Sequence, residues 1–216
     1  ATQGGTIYLG AFGAGPGGLY INDLRVTTNG ATDGTTLTMF DIQVDDNNAV
    51  DQADQASVTI EETTFVLLDD GVDQIVNIDT EFDGDASGAT NSAPNLAGAA
   101  GYVDLERSST AGDIVGLGLN IDTSATTGIG GAVDLGLFSN AGGAENFVND
   151  LTVTTSSGNA TAGTTTLHDD VQLDDDGAGG AGDFNIVTVN GVDSSTGLVV
   201  IAKGTGTTLT VTRASS

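Results

Sequence analysis

The chain has 216 residues, 30 of them acidic against 4 basic, and a formal net charge of −26. That balance excludes nucleic acid and anionic membrane surfaces as partners, because phosphate recognition needs clustered Lys and Arg. Cysteine and Trp are absent and aromatic residues make up 5%, so there are no disulfides or thiolate metal sites and any core is built from Val, Ile, Leu and Ala.

Period-two alternation of Thr, Val, Ile and Leu predicts strands along the chain. In order they cover 6–9, 24–27, 42–44, 58–60 and 75–78, then 103–105, 117–121, 151–154 and 171–173, then 186–189, 198–201 and 209–211. Clusters of Gly, Asp, Asn and Ser between them read as turns. The stretch 93–101 is too rich in Gly for a helix. No run of 18 apolar residues occurs and no signal peptide is visible; the opening at Ala1 fits either a processed precursor or a boundary within a longer chain.

The chain repeats itself. Ile7-Tyr8-Leu9-Gly10 matches Val133-Asp134-Leu135-Gly136, and Phe12 matches Phe138. Asn22 to Thr28 (NDLRVTT) matches Asn149 to Thr155 (NDLTVTT), Gly34-Thr35-Thr36 matches Gly163-Thr164-Thr165, and Asp41 to Asp46 matches Asp170 to Asp175. These matches predict that 24–27 and 151–154 form equivalent strands. A shorter echo places Val103 and Leu105 against Val133 and Leu135, and Leu119 and Ile121 against Leu151 and Val153, a module of about 30 residues. Two units follow: 1–132, a first β-repeat unit with long acidic inserts, and 133–216, a shorter second unit continuous with it. The fold expected is all-β, a right-handed parallel β-helix with acidic loop insertions; the alternative is a β-sandwich or jelly roll.

The blocks from Gly131 to Gly136, Asn149 to Thr155 and Asp170 to Asp175, with their partners in the first copy, resemble the strand repeats of filamentous-haemagglutinin-like secreted bacterial surface proteins. The resemblance covers about half of the chain. It implies a right-handed β-helix, secretion to the cell surface and an adhesive or structural role. The acidic insert 81–101 departs from a compact rung of that family.

Little in the sequence suits catalysis. His168 is the one His, and the first copy has Met39 in its place, which favours a surface residue over a base. Carboxylate pairs for glycoside hydrolysis are too abundant to be informative without a cleft. Four cations in so acidic a chain argue against an acidic polysaccharide as substrate. The Gly-rich run 13–18 lacks the Lys and helix of a phosphate cradle and reads as a turn.

Calcium fits better. There are 25 Asp against 5 Glu, and short Asp-bearing loops with Gly supply the oxygen ligands that Ca²⁺ takes. The first candidate set is Asp79, Glu81, Asp83 and Asp85; the second is Asp69, Asp70 and Asp73. Asp45-Asp46 and Asp174-Asp175-Asp176 form a repeated third pair. The bland alternative is a set of solvated acidic turns. At the two ends of the chain, Ile7, Leu9 and Phe12, and Val199, Ile201, Leu209 and Val211, lie on apolar strands that lack an obvious cap. Such strands recruit others, so the expected partner is a further copy of the chain or a neighbouring repeat of a surface protein. The function expected is an extracellular structural subunit of a filament, sheath or adhesin. The rivals are a calcium-dependent carbohydrate-binding module and a β-helix polysaccharide hydrolase or lyase.

Overall fold

The computed structural model describes residues 4–12, 21–27, 34–38, 40–44, 56–62, 64–69, 75–80, 101–112, 117–124, 130–138, 148–155, 163–174, 184–187, 198–201 and 211–214. These residues form strands and their connections, with no helix among them. In chain order the strands are β1 (Thr6–Leu9), β2 (Asp23–Val26), β3 (Thr35–Thr38), β4 (Ile42–Gln43), β5 (Ser57–Ile60), β6 (Thr64–Leu67), β7 (Ile75–Asp79) and β8 (Tyr102–Gly112). They continue as β9 (Gly118–Asp122), β10 (Val133–Phe138), β11 (Leu151–Thr154), β12 (Thr164–Leu167), β13 (Val171–Asp174), β14 (Phe184–Val187), β15 (Leu198–Ile201) and β16 (Val211–Ala214).

Every named strand pair is parallel, in an eleven-stranded and a five-stranded sheet. Parallel pairing does not suit a sandwich or jelly roll, which are antiparallel. The larger sheet resolves into two ladders joined through the long strands β8 and β10. The first ladder runs β2, β5, the start of β8, the start of β10, β12, β15. The second runs β1, β3, β6, the end of β8, the end of β10, β13, β16. The smaller sheet is the third ladder, β4, β7, β9, β11, β14, extended by a bridge from Phe12 to Ile42. From β2 onward the chain visits the first, second and third ladder in unbroken rotation.

Alternation explains why each strand holds its place. On the third ladder Val76, Leu119 and Leu151 are register partners and all buried, as are Ile42, Ile78, Ile121 and Val153. Side chains two apart share a face, so one register aligns whole columns and a one-residue slip would turn them outward. Buried side chains from all three ladders belong to a single apolar cluster, with Phe65, Phe138, Ile121 and Leu135 among its fully buried members. The outward positions of the third ladder carry short polar groups. Asn120 Nδ2 donates to Asn77 Oδ1 at 3.0 Å, and Asn77 Nδ2 donates to Asp41 Oδ1 at 3.1 Å.

The connection from the third ladder to the first uses a recurring pair. Thr123 and Thr155 follow β9 and β11 and are fully buried. The Thr123 hydroxyl donates to the Gly131 carbonyl at 3.0 Å, and the Gly131 N–H returns to the Thr123 carbonyl at 2.8 Å. Thr155 and Gly163 repeat the arrangement, with a hydroxyl bond of 3.4 Å and an N–H bond of 2.7 Å. Each pair closes its corner and satisfies buried polar groups. Glycine is required for proximity: a Cβ at 163 would lie 1.8 Å from the Gly131 carbonyl oxygen, and one at 101 would lie 2.1 Å from that of Ala56. Gly136 has a different neighbour. It faces residues 106–108, where β8 bulges against β10, and a Cβ there would lie 2.5 Å from two carbonyl oxygens.

Two outcomes bear on the repeats. The short echo is one full pass, since Val103 and Leu105 are register partners of Val133 and Leu135, and Leu119 and Ile121 of Leu151 and Val153. The long repeat keeps its local neighbours. Ile7 pairs Thr36 as Val133 pairs Thr165, and Phe12 pairs Ile42 as Phe138 pairs Val171. It does not keep its ladder. Leu24 lies on the first and Leu151 on the third, so 24–27 and 151–154 are not equivalent strands. The reason is the count: the two copies are eleven ladder steps apart, one short of four whole passes.

Candidate functional site

On the first ladder, β2, β5 and β8 lie side by side, with Asp23, Ser57 and Tyr102 in one register row and Arg25, Thr59 and Asp104 in the next. The middle strand carries the shortest side chains of the three. It becomes a floor between two walls whose backbones stand about 10 Å apart, twice the strand spacing. The result is an open surface trough of about 390 Å³ lined by Asp23, Arg25, Ser57, Thr59, Glu61, Tyr102 and Asp104. Although they share the outward rows, Ser57 is 6% and Thr59 8% exposed, because the walls shelter them. Tyr102 is 41% exposed on the β8 wall.

Local bonds fix most of this set. The Arg25 guanidinium meets Glu61 through Nη2 at 2.8 and 2.9 Å and through Nε at 3.2 Å. Those hydrogen bonds and the Glu61 charge hold the Arg25 pKa above its ordinary value. The Ser57 hydroxyl donates to Asp23 Oδ1 at 2.5 Å. Asp104 Oδ1 accepts the Glu106 N–H at 3.0 Å. Beyond the trough the same ladder continues with Asp134, whose Oδ1 lies 3.0 Å from His168 Nε2; His168 Nδ1 lies 3.6 Å from Glu106. His168 therefore ties the chain after β12 to β10 and β8.

Of the proposed calcium ligands, Asp79 ends β7, in register between Gln43 and Asp122, and Asp69 follows β6. Asp70, Asp73, Glu81, Asp83 and Asp85 lie outside the described residues. Among the described residues no three His, Cys, Asp or Glu side chains gather as a metal site would need. Of the assembly residues, Ile7 and Leu9 sit on β1 and Phe12 on the bridge beyond it, all half-buried against the core. Val199 and Ile201 lie on β15, paired with Thr165 and Leu167, and Val211 opens β16, paired with Val171. Leu209 lies outside the described residues.

None of the trough residues stands out for function in the sequence. Their signal is three strands with D-x-R, S-x-T and Y-x-D at outward positions, and it appears only once the strands are known to be neighbours. No family model, curated protein or solved structure matches the chain.

Proposed function

We propose that the chain is a right-handed parallel β-helix that serves as an extracellular structural subunit of a surface filament, sheath or adhesin, joining its neighbours through end strands. One observation carries this reading. Ile7 and Leu9 are register partners of Thr36 and Thr38, which stack on Phe65 and Leu67; those four are fully buried, whereas Ile7 and Leu9 are only half-buried. Among the described residues β1 pairs β3 alone, so its other edge has no strand partner. Fully burying a large aliphatic side chain is worth about 1.5–3 kcal/mol, and several together can offset an association cost of roughly 4–15 kcal/mol. Parallel stacking is directional, so end-to-end contact does not close and extends into a polymer or into a longer repeat chain.

Sedimentation tests the proposal. The full chain is expected to associate increasingly with concentration, and Ile7→Asp with Leu9→Asp is expected to sediment as a monomer with an unchanged circular-dichroism spectrum. A wild-type chain that stays monomeric at millimolar concentration, with calcium and without it, overturns the assembly reading.

Calcium belongs to the same proposal. The net charge of −26 and the Asp79–Asp122 register pair place like charges close together, and a bound divalent cation stabilises the folded state by mass action. Millimolar calcium is expected to raise the melting temperature above that in NaCl of equal ionic strength, and Asp83→Ala with Asp85→Ala to blunt the rise. Equal melting in EDTA and in calcium would discard the idea.

A second reading, a surface-binding module, is favoured by the trough, whose aromatic and acidic lining is open rather than set in a deep cleft.

A further inference from the structure

We infer that the outward face of the second ladder, from β1 to the end of β10, is a lateral interface at which two end-to-end polymers of this chain pair side by side. The inference rests on the end-to-end reading above. Tyr8, Leu37 and Val66 form one outward register row, and Thr6, Thr35 and Thr64 form the next, which runs on to Ser109 on β8 and Leu137 on β10. None of these positions carries charge, in a chain with 30 acidic residues. Tyr8 is 73% exposed, and Leu37 and Val66 are part-exposed. Phe40 and Ile75, both exposed, extend the apolar positions onto the corner where the second ladder hands the chain to the third. A contiguous apolar face rimmed by polar groups marks a contact surface.

Charge selects the occupant. The outward rows of the first ladder carry Asp23, Arg25, Asp104 and Asp134, and those of the third carry Asp79 and Asp122. A cationic partner is drawn to those faces rather than to this one. A second copy brings the same −26 and is repelled wherever carboxylates meet, so the face without charge is where two copies can touch. Charged residues bound that face: Glu106 and Arg107 precede Ser109 on β8, and Asp69 follows β6. Size sets the condition for pairing. Strands about 4.8 Å apart, rising about 3.3 Å per residue, give five strands of four residues a footprint of about 24 by 13 Å, on the order of 300 Å². A stable pair needs about 800 Å² from each partner, so one copy alone does not hold another. Copies stacked end to end repeat the face once per chain and hold their neighbours jointly. Tyr8 stands between Ile7 and Leu9 on β1, so the face adjoins the proposed end contact.

Because the chain has no cysteine, a single introduced thiol reports contact between copies. In the assembled full chain, Val66→Cys treated with a short bismaleimide is expected to yield covalent dimers. Thr152→Cys, outward on the third ladder, is expected to yield none. Stacked copies hold their Val66 positions at least the seven described strands of the second ladder apart, about 34 Å, so a short link there is lateral. Leu37→Lys reduces the negative charge, yet it is expected to turn paired filaments into single ones under the electron microscope. Its circular-dichroism spectrum and the pelleting of its polymer are expected to match the wild type. Thr152→Lys makes the same change in charge and is expected to leave the pairs intact. A wild-type chain that forms no polymer removes the end-strand reading and this interface with it. If the polymer forms but Val66→Cys links no better than Thr152→Cys, or Leu37→Lys filaments stay paired, the lateral interface alone is overturned. Single wild-type filaments that bind a neutral oligosaccharide, with that binding lost in Leu37→Lys, would assign the face to glycan instead.

Discussion

Gly163→Ala is expected to lower the melting temperature by on the order of 6–12 °C, following a loss of about 3 kcal/mol in a chain of this size. The added methyl carbon would stand 1.8 Å from the Gly131 carbonyl oxygen, well inside contact distance. That oxygen belongs to backbone, and it also accepts the Thr123 hydroxyl at 3.0 Å, so it cannot swing aside as a flexible side-chain end could. Relief must come from separating two successive passes, which weakens the β10–β12 pairing and the Thr155 corner together. Gly10→Ala is the control. A Cβ there meets nothing within 4 Å, and the change is expected to fall within about 0.5 kcal/mol of zero. Thermal melts followed at a β-sheet band decide between them; an undisturbed Gly163→Ala melt would mean that the corner does not pack as described.

Ile121→Ala is expected to cost about 2–5 kcal/mol, the range for removing a large aliphatic side chain from a core that closes only in part. Ile121 is fully buried in the column of Ile78 and Val153, in the middle of the third ladder. Under the β-helix reading each pass touches only its neighbours, and the loss is expected to be local. Amides of β7 and β11, the strands on either side, are expected to lose hydrogen-exchange protection before those of β1 and β3. Thr152→Ala, outward on the same ladder, is expected to change stability by less than about 0.5 kcal/mol. Uniform loss of protection from β1 to β13 would show a single cooperative unit instead.

Strands with Ile, Val and Leu at inward positions are legible in the sequence: β1, β5, β7, β9 and β11 lie where alternation puts them, within a residue or two. The strands β3, β6 and β12 are not. In β3 and β12 the inward positions include Thr36, Thr38 and Thr165, all fully buried, so the polar face and the core face carry the same residue type and the period disappears. Among the described residues the buried Thr36 and Thr165 hydroxyls have no partner, nor do those of Thr80 and Thr110, which no pattern of apolar residues could announce. The corner pair of Thr and Gly eight residues apart is present as Thr123–Gly131 and Thr155–Gly163, yet a sequence full of Thr, Ser and Gly around it conceals it. The trough is hidden for another reason. Its rows join residues 34 to 45 positions apart, set by the unequal lengths of successive passes, and sequence spacing says nothing of which strands become neighbours.

The eleven-step repeat has a consequence for how such a chain can grow. A tandem copy of whole passes would return each strand to its own ladder and draw every outward residue into one stripe. This repeat falls one step short, so Asp23 and Arg25 on the first ladder recur as Asp150 and Thr152 beside the third. Each further copy would shift by one ladder again, and three would visit all of them. Under the β-helix reading, any recognition group duplicated along with its strand would precess around the axis. A long assembly grown this way would present its contacts in every direction, favouring capture from a crowded surrounding over alignment along a single flat surface.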